Sequence, residues 1–145
     1  MSKAAVPFET AAMVRDACLC LHAQRAARSL ARRFDEALRP AGLTNGQFSL
    51  LMSLNRPVPP SMGPVAALLA MDRTTLTAML KPLERRGLVE VTPDPADRRG
   101  RLLRLTEAGQ AVLLQAIPIW ERTHRAAESL LSDAEALRDA LRALS

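Results

Sequence analysis

Three side chains capable of ligand or redox chemistry stand together near the start of the chain: Cys18, Cys20 and His22. Thiolates and imidazoles bind zinc, so the spacing invites a metal reading. In a helix, however, two residues turn the chain by about 200°, which puts Cys18 and His22 on one face and Cys20 nearly opposite. Three ligands of one chain then cannot converge, no metal is expected, and both cysteines read as buried small hydrophobes. Nor can two cysteines so close in one helix readily be bridged, so both are expected as reduced thiols. His22 and His124 read first as ordinary helix residues, with a pocket-lining role as the lesser alternative. No Gly-rich phosphate loop follows a strand and no His-Glu-x-x-His occurs, so with two histidines none of the usual catalytic constellations can be assembled; no enzyme and no cofactor are expected.

The other chemistry is that of arginine. Lys+Arg number 20 against 15 Asp+Glu, a net charge of +5, and every cation except Lys3 and Lys81 is arginine. The planar guanidinium suits phosphate and base edges, so an anionic partner is favoured. The excess is local. Residues 73–101 hold Arg73, Lys81, Arg85, Arg86, Arg98, Arg99 and Arg101 against Glu84, Glu90, Asp94 and Asp97, whereas residues 102–145 are slightly acidic. The arginines of the first helix alternate with alanines around the cylinder and read as a solvated face.

The elements that position these groups follow from period and punctuation. Residues 13–38 lack Gly and Pro and repeat Leu30, Phe34 and Leu38 at four-residue spacing, which predicts one long amphipathic helix after a loosely ordered arm over residues 1–12. After Arg39-Pro40-Ala41-Gly42, Thr44 and Gln47 form a capping box with Leu43 and Phe48 as a staple, opening a helix to about Leu54. Ser61 is placed to cap a short helix ending near Ala70, with Pro64 in its first turn. Asp72 caps the next, Arg73 to Arg86, closed by a left-handed Gly87 and expected to bend at Pro82. Its stripe Leu76, Met79, Leu80 and Leu83 turns Arg73, Thr74, Thr77 and Lys81 outward, a face that can read something. Arg85 and Arg86 suit the helix C-terminus electrostatically. Leu88–Val91 and Leu102–Leu105 then read as strands around a basic, turn-rich tip. Thr106 caps a helix to about Leu131, bent near Pro118, and Ser132-Asp133-Ala134-Glu135 is a capping box opening a last helix with Leu137, Leu141 and Leu144 in register.

With 145 residues, 48% apolar and only 3% aromatic, the chain reads as one mainly α domain, residues 1–145, with a core of Leu, Ala, Val and Met. No stretch approaches the roughly 20 apolar residues of a membrane span and no signal peptide is visible, so a cytoplasmic protein is expected.

Two short helices, a basic helix with a polar outer face and a basic-tipped hairpin, in that order, make a winged helix-turn-helix with a two-stranded wing. The stretches Met71-Asp72-Arg73-Thr74-Thr75-Leu76-Thr77, Lys81-Pro82-Leu83-Glu84-Arg85-Arg86-Gly87-Leu88-Val89, Asp94-Pro95-Ala96-Asp97-Arg98-Arg99-Gly100 and Leu105-Thr106-Glu107-Ala108-Gly109 resemble the MarR family of bacterial transcriptional regulators, over about residues 13–145. The resemblance implies a homodimer bundled through residues 13–42 and 106–145, with a DNA-binding module over 43–105 meeting a pseudo-palindromic operator on double-stranded DNA. By resemblance, Arg73, Thr74, Thr75, Thr77 and Lys81 form the major-groove face, although Thr75 also suits capping or packing. Arg98, Arg99 and Arg101 belong to the wing, and Asp97 of the Asp-x-Arg signature orients an arginine. A repressor released by a small-molecule effector is the expected mechanism. Cys20 falls where the family's hydroperoxide sensors keep a reactive cysteine, which keeps a thiol-based alternative open, but the tyrosines of those sensors have no counterpart here. A helical protein-interaction module without DNA contact is the remaining alternative, and it leaves the wing arginines without a task.

Overall fold

Pro7, with its φ fixed near the helical value, stands immediately before α1 (Phe8–Ala17), and Cys18 interrupts the helix that the sequence pattern carries onward. The structure, a computed structural model, describes residues 3–145. It falls into two compact units, divided after Arg33. In the first, the single helix expected over 13–38 is two. Cys18 is extended (φ −67°, ψ 110°), its N–H still bonded to Val14 O, and α2 (Leu19–Leu38) begins after it. Cys18 Sγ accepts the N–H of Leu21 at 3.5 Å, so the thiol substitutes for a capping oxygen. The expected arm is helical from Phe8, and its residues 1 and 2 lie outside the described residues.

The second unit, Phe34–Ser145, contains the core. After a 3-10 turn, Arg39–Ala41, Gly42 takes φ 71° and Thr44 opens α3 (Asn45–Leu54) with both bonds of the capping box. Asp35 near the end of α2 accepts the main-chain and side-chain N–H of Asn45 at 2.7 and 2.8 Å, and these donors hold its carboxyl below the usual range. α4 (Met62–Leu68) follows Ser61, which makes no side-chain cap but bridges Leu102, extending the sheet edge by one residue. Ala70 turns the chain at φ 51° into α5 (Arg73–Arg85). Leu50, Leu51, Leu54, Val65, Leu76, Leu83, Leu103 and Leu113 are all fully buried, each side chain contributing about 1.5–3 kcal/mol by leaving water.

The hairpin is longer than its apolar runs. β1 (Val89–Asp94) and β2 (Asp97–Leu105) pair antiparallel from Val89↔Leu105 to Pro93↔Arg101, then jump to Asp94↔Asp97. The strands expected over 88–91 and 102–105 therefore continue into the tip, because backbone pairing does not end where side chains cease to be apolar. Arg104 pairs with Glu90 across the ladder. α6 (Glu107–Glu128) is capped by Thr106, which accepts from Gly109 N at 3.0 Å and donates to Gly87 O at 2.6 Å. It ends three residues before the expected Leu131. α7 (Ala134–Ala143) is capped by Asp133, not Ser132: the Asp133 carboxylate accepts the Ala136 N–H at 2.9 Å, and an ionised oxygen outcompetes a hydroxyl one residue earlier. Pro82 and Pro118 both sit inside helices that continue past them.

Candidate nucleic-acid interface

α5 is held by one face and leaves the other bare. Asp72 caps it through the Thr75 N–H at 2.7 Å, and that donor keeps the Asp72 carboxyl below its usual range. Leu76, Leu80 and Leu83 are buried and Met79 half-buried, which fixes the rotation of the helix. Arg73, Thr74, Thr75, Thr77 and Lys81 are all exposed; Thr75 serves the cap through its main chain, so its side chain is free of packing duty. Thr77 Oγ1 donates to Arg73 O at 2.8 Å, which leaves its oxygen free to accept. A methyl built on Gly63 of α4 would stand 3.3 Å from an Arg73 guanidinium nitrogen, so Arg73 reaches back over the preceding helix.

The wing tip is shaped by two carboxylates acting on the backbone. Asp94 Oδ1 accepts the Ala96 N–H at 2.9 Å, and Asp97 Oδ1 accepts the Arg99 N–H at 3.0 Å. The register jump leaves Arg98, Arg99 and Gly100 outside the ladder. A methyl on Gly100 would come within 3.1 Å of Asp94 Cβ and 3.3 Å of Asp97 Cβ, so the tip closes this tightly because residue 100 has no side chain. Asp97 thus bonds the Arg99 main chain and, among the described residues, pairs with no guanidinium. Among the described residues, Arg73, Lys81, Arg98, Arg99 and Arg101 form no ion pair, whereas Arg104, Arg138 and Arg142 all do. Exposed cations outside any ion pair, on one helix and one hairpin, can neutralise phosphates without breaking a salt bridge.

Several supporting residues have little signal in the sequence. Arg86 Nη1 donates to Gly42 O at 2.9 Å across 44 residues, tying the end of α5 to the turn before α3; it is a strut, not simply a helix-end charge. Gly109 is buried where a methyl would meet Leu88 O at 2.3 Å and Leu105 Cδ1 at 2.6 Å, so α6 can approach the root of the wing only as glycine. On α6, Trp120 stacks between Phe48 at 6.2 Å and His124 at 4.5 Å. Two adjoining cavities flank this ladder: one of about 560 Å³ includes Phe48, Met52, Leu68, Leu69, Ile117 and Trp120, and one of about 270 Å³ includes Phe34, Leu38, Asn45, Phe48, Trp120 and His124. His124 lines the smaller cavity, the lesser of its two sequence readings.

The first unit holds the thiols. Cys18 is half-buried and Cys20 exposed, so the small-buried-hydrophobe expectation fails for Cys20, whose Sγ accepts from Gln24 Nε2 at 3.1 Å. His22 Nδ1 lies 2.8 Å from Cys18 O. The break at Cys18 removes the assumption that Cys18 and His22 share one continuous helix.

Residues 43–100 match the MarR family. The chain is 39% identical over 79 residues to the transcriptional activatory protein BadR of Rhodopseudomonas palustris, covering 52% of this chain and 45% of BadR; it spans about half the length of the curated relatives it matches first. The transcriptional regulator MosR of M. tuberculosis in complex with DNA superposes with a TM-score of 0.82 at 37% identity, over 88% of this chain and 92% of MosR. BpsR of Bordetella bronchiseptica, whose DNA binding is regulated by 6-hydroxynicotinic acid, superposes with a TM-score of 0.75 at 29% identity, over 87% and 97%. These relatives are regulators and not enzymes, and their fold is the winged helix-turn-helix read from the sequence. The match over residues 43–100, with 37% identity to MosR over 92% of its length and a capped α5 followed by a bulged basic wing, places the chain in the MarR family.

Proposed function

We propose that the protein is a sequence-specific DNA-binding transcriptional regulator acting as a homodimer on a pseudo-palindromic operator, and that it represses until a small molecule releases it. The observation that carries this reading is the unpaired cationic and hydroxyl face of α5, Arg73, Thr74, Thr77 and Lys81, beside a wing whose Arg98, Arg99 and Arg101 are equally unpaired. α5 enters the major groove, where arginine and lysine read guanine and threonine contacts either a polar edge or the thymine methyl. The wing arginines take phosphates or the narrow minor groove. One such module neutralises few phosphates. Two, related by a two-fold axis and about 34 Å apart, read one face of the duplex and double that term. An operator-binding role also places the protein in the cytoplasm, with the DNA.

The cavity of about 560 Å³ between α3, α4 and α6 supports the effector part of the reading, since its size and apolar lining suit a small organic molecule. Its occupant need only bias the tilt of α5, because half-site spacing is a rigid requirement. Selection of bound genomic fragments, followed by footprinting, tests the proposal. An inverted repeat with half-sites about one helical turn apart is expected. Enrichment of no sequence, with binding that salt abolishes equally on all fragments, would refute sequence-specific regulation.

A further inference from the structure

The arginines of α2 read from the sequence as a solvated face, and the structure gathers three of them around a cleft. Between Asp16 and Asp35 the chain contains no acidic residue, yet it places Arg25, Arg28, Arg32 and Arg33 on one short stretch of helix. Among the described residues none of the four belongs to an ion pair, in contrast to Arg138 and Arg142 of α7, each matched by an acid one turn away. Like charges three and four residues apart, Arg25 with Arg28 and Arg28 with Arg32, repel along the helix surface and weaken it. An anion from solution relieves that repulsion.

A cavity of about 560 Å³ lies on this face, lined by His22, Arg25, Ala26, Arg28, Ser29 and Arg32, all exposed and all on α2. Ala26 and Ser29 are its small residues, so the long arginine side chains supply its walls. Arg25 and Arg32 stand about 10 Å apart along the helix axis with Ser29 between them. Two of the lining groups are already oriented: Arg28 Nη2 donates to Gln24 Oε1 at 3.2 Å, and His22 Nδ1 donates to Cys18 O at 2.8 Å. At about 100° per residue the cationic side of α2 lies opposite Ala23, Leu30 and Phe34, of which Phe34 packs on the core. The cleft is therefore on the side of α2 away from the apolar one, which is the side a homodimer bundle uses.

We propose that this cleft binds a small molecule through a diphosphate group, held by Arg25, Arg28 and Arg32 with the Ser29 hydroxyl at its floor. Three guanidiniums with no acid among them suit a multiply charged anion better than a single carboxylate, and each planar fork can grip two phosphate oxygens. The volume is that of a small-molecule site. Apart from His22 no ring lines the cleft, so the diphosphate, and not a base or ring attached to it, is what is recognised. The site goes beyond the regulator reading and does not depend on it.

The test uses the full chain with inorganic pyrophosphate, ADP and adenosine as probes, by calorimetry at constant ionic strength. Pyrophosphate and ADP should bind once per chain, and adenosine should not bind. Arg25→Gln and Arg32→Gln should each weaken pyrophosphate about tenfold or more, whereas Arg56→Gln, at an exposed arginine outside the cleft, should leave it unchanged. Ser29→Glu supplies a second readout. A carboxylate four residues after Arg25 and three before Arg32 should pair with both, raise the thermal midpoint of the free protein and abolish pyrophosphate binding. No binding of pyrophosphate, equal weakening by Arg56→Gln, or binding that survives Ser29→Glu would overturn the proposal. So would a loss of random-duplex affinity in Arg25→Gln and Arg32→Gln as large as their loss for pyrophosphate, which would assign this face to DNA.

Discussion

α5 and α7 are both amphipathic helices of one unit, yet they stand at opposite ends of a scale of satisfaction. The apolar stripe of α5 is used within the chain, with Leu76 and Leu83 at 0% exposure and Leu80 at 4%. The stripe of α7 is not: Leu137, Leu141 and Leu144 are 40%, 48% and 67% exposed, and no residue of the helix is buried. A helix of ten residues has little stability of its own. Among the described residues one ion pair, Arg138 to Glu128, ties α7 to α6, while Arg138–Glu135 and Arg142–Asp139 lie within α7 itself, and its leucines remain exposed. The helix to which the proposed function assigns DNA reading is packed by its own sequence, whereas the leucines of α7 are exposed in the single chain, and in the proposed homodimer the second copy covers them.

The largest test of this contrast is removal of residues 132–145. The truncated chain should run as a monomer or aggregate in sedimentation and lose most operator affinity; tight binding of a palindromic site by the truncated chain would break the comparison. Next is Gly109→Ala, at the seam between α6 and the wing. A methyl 2.3 Å from Leu88 O forces α6 off the wing root, and overpacking of this kind costs about 1–3 kcal/mol or more, readable as a lowered denaturant midpoint. The smallest effect is acid. Glu128 and Glu135, held low by Arg138, and Asp72, held low by the Thr75 N–H, contribute stability that is fully present above the ordinary carboxylate range and lost as pH falls through their depressed values. Helicity followed by circular dichroism should therefore stay flat from pH 7 to 5 and fall below pH 4, with Arg138→Ala reducing the slope.

What the sequence made legible is what is local. The Thr44–Gln47 box, the Asp72 cap, the left-handed Gly87 and the α5 stripe each depend on residues within one turn of one another. The break at Cys18 was illegible because neither cysteine nor its neighbours Ala17 and Leu19 carry a breaker signal. The hairpin's reach was underestimated because Pro93 and Gly100 read as turn residues, while in the structure one pairs with Arg101 and the other closes the bulge. Asp133 displaced Ser132 as a cap through a difference of one residue in phase. Arg86 on Gly42, Arg138 on Glu128 and the buried face of Gly109 join residues far apart in the chain, and no spacing rule addresses such pairs.

In the proposed function α5 reads the bases and the wing grips the backbone. A salt titration of binding to the operator and to random duplex DNA by the parent chain, Thr77→Ala and Arg98→Ala separates these two roles. Thr77→Ala should lose about 1–3 kcal/mol on the operator alone, and Arg98→Ala should weaken both duplexes and lower the salt slope by about one unit. Equal losses on both duplexes for both variants, with an unchanged slope, would contradict the account.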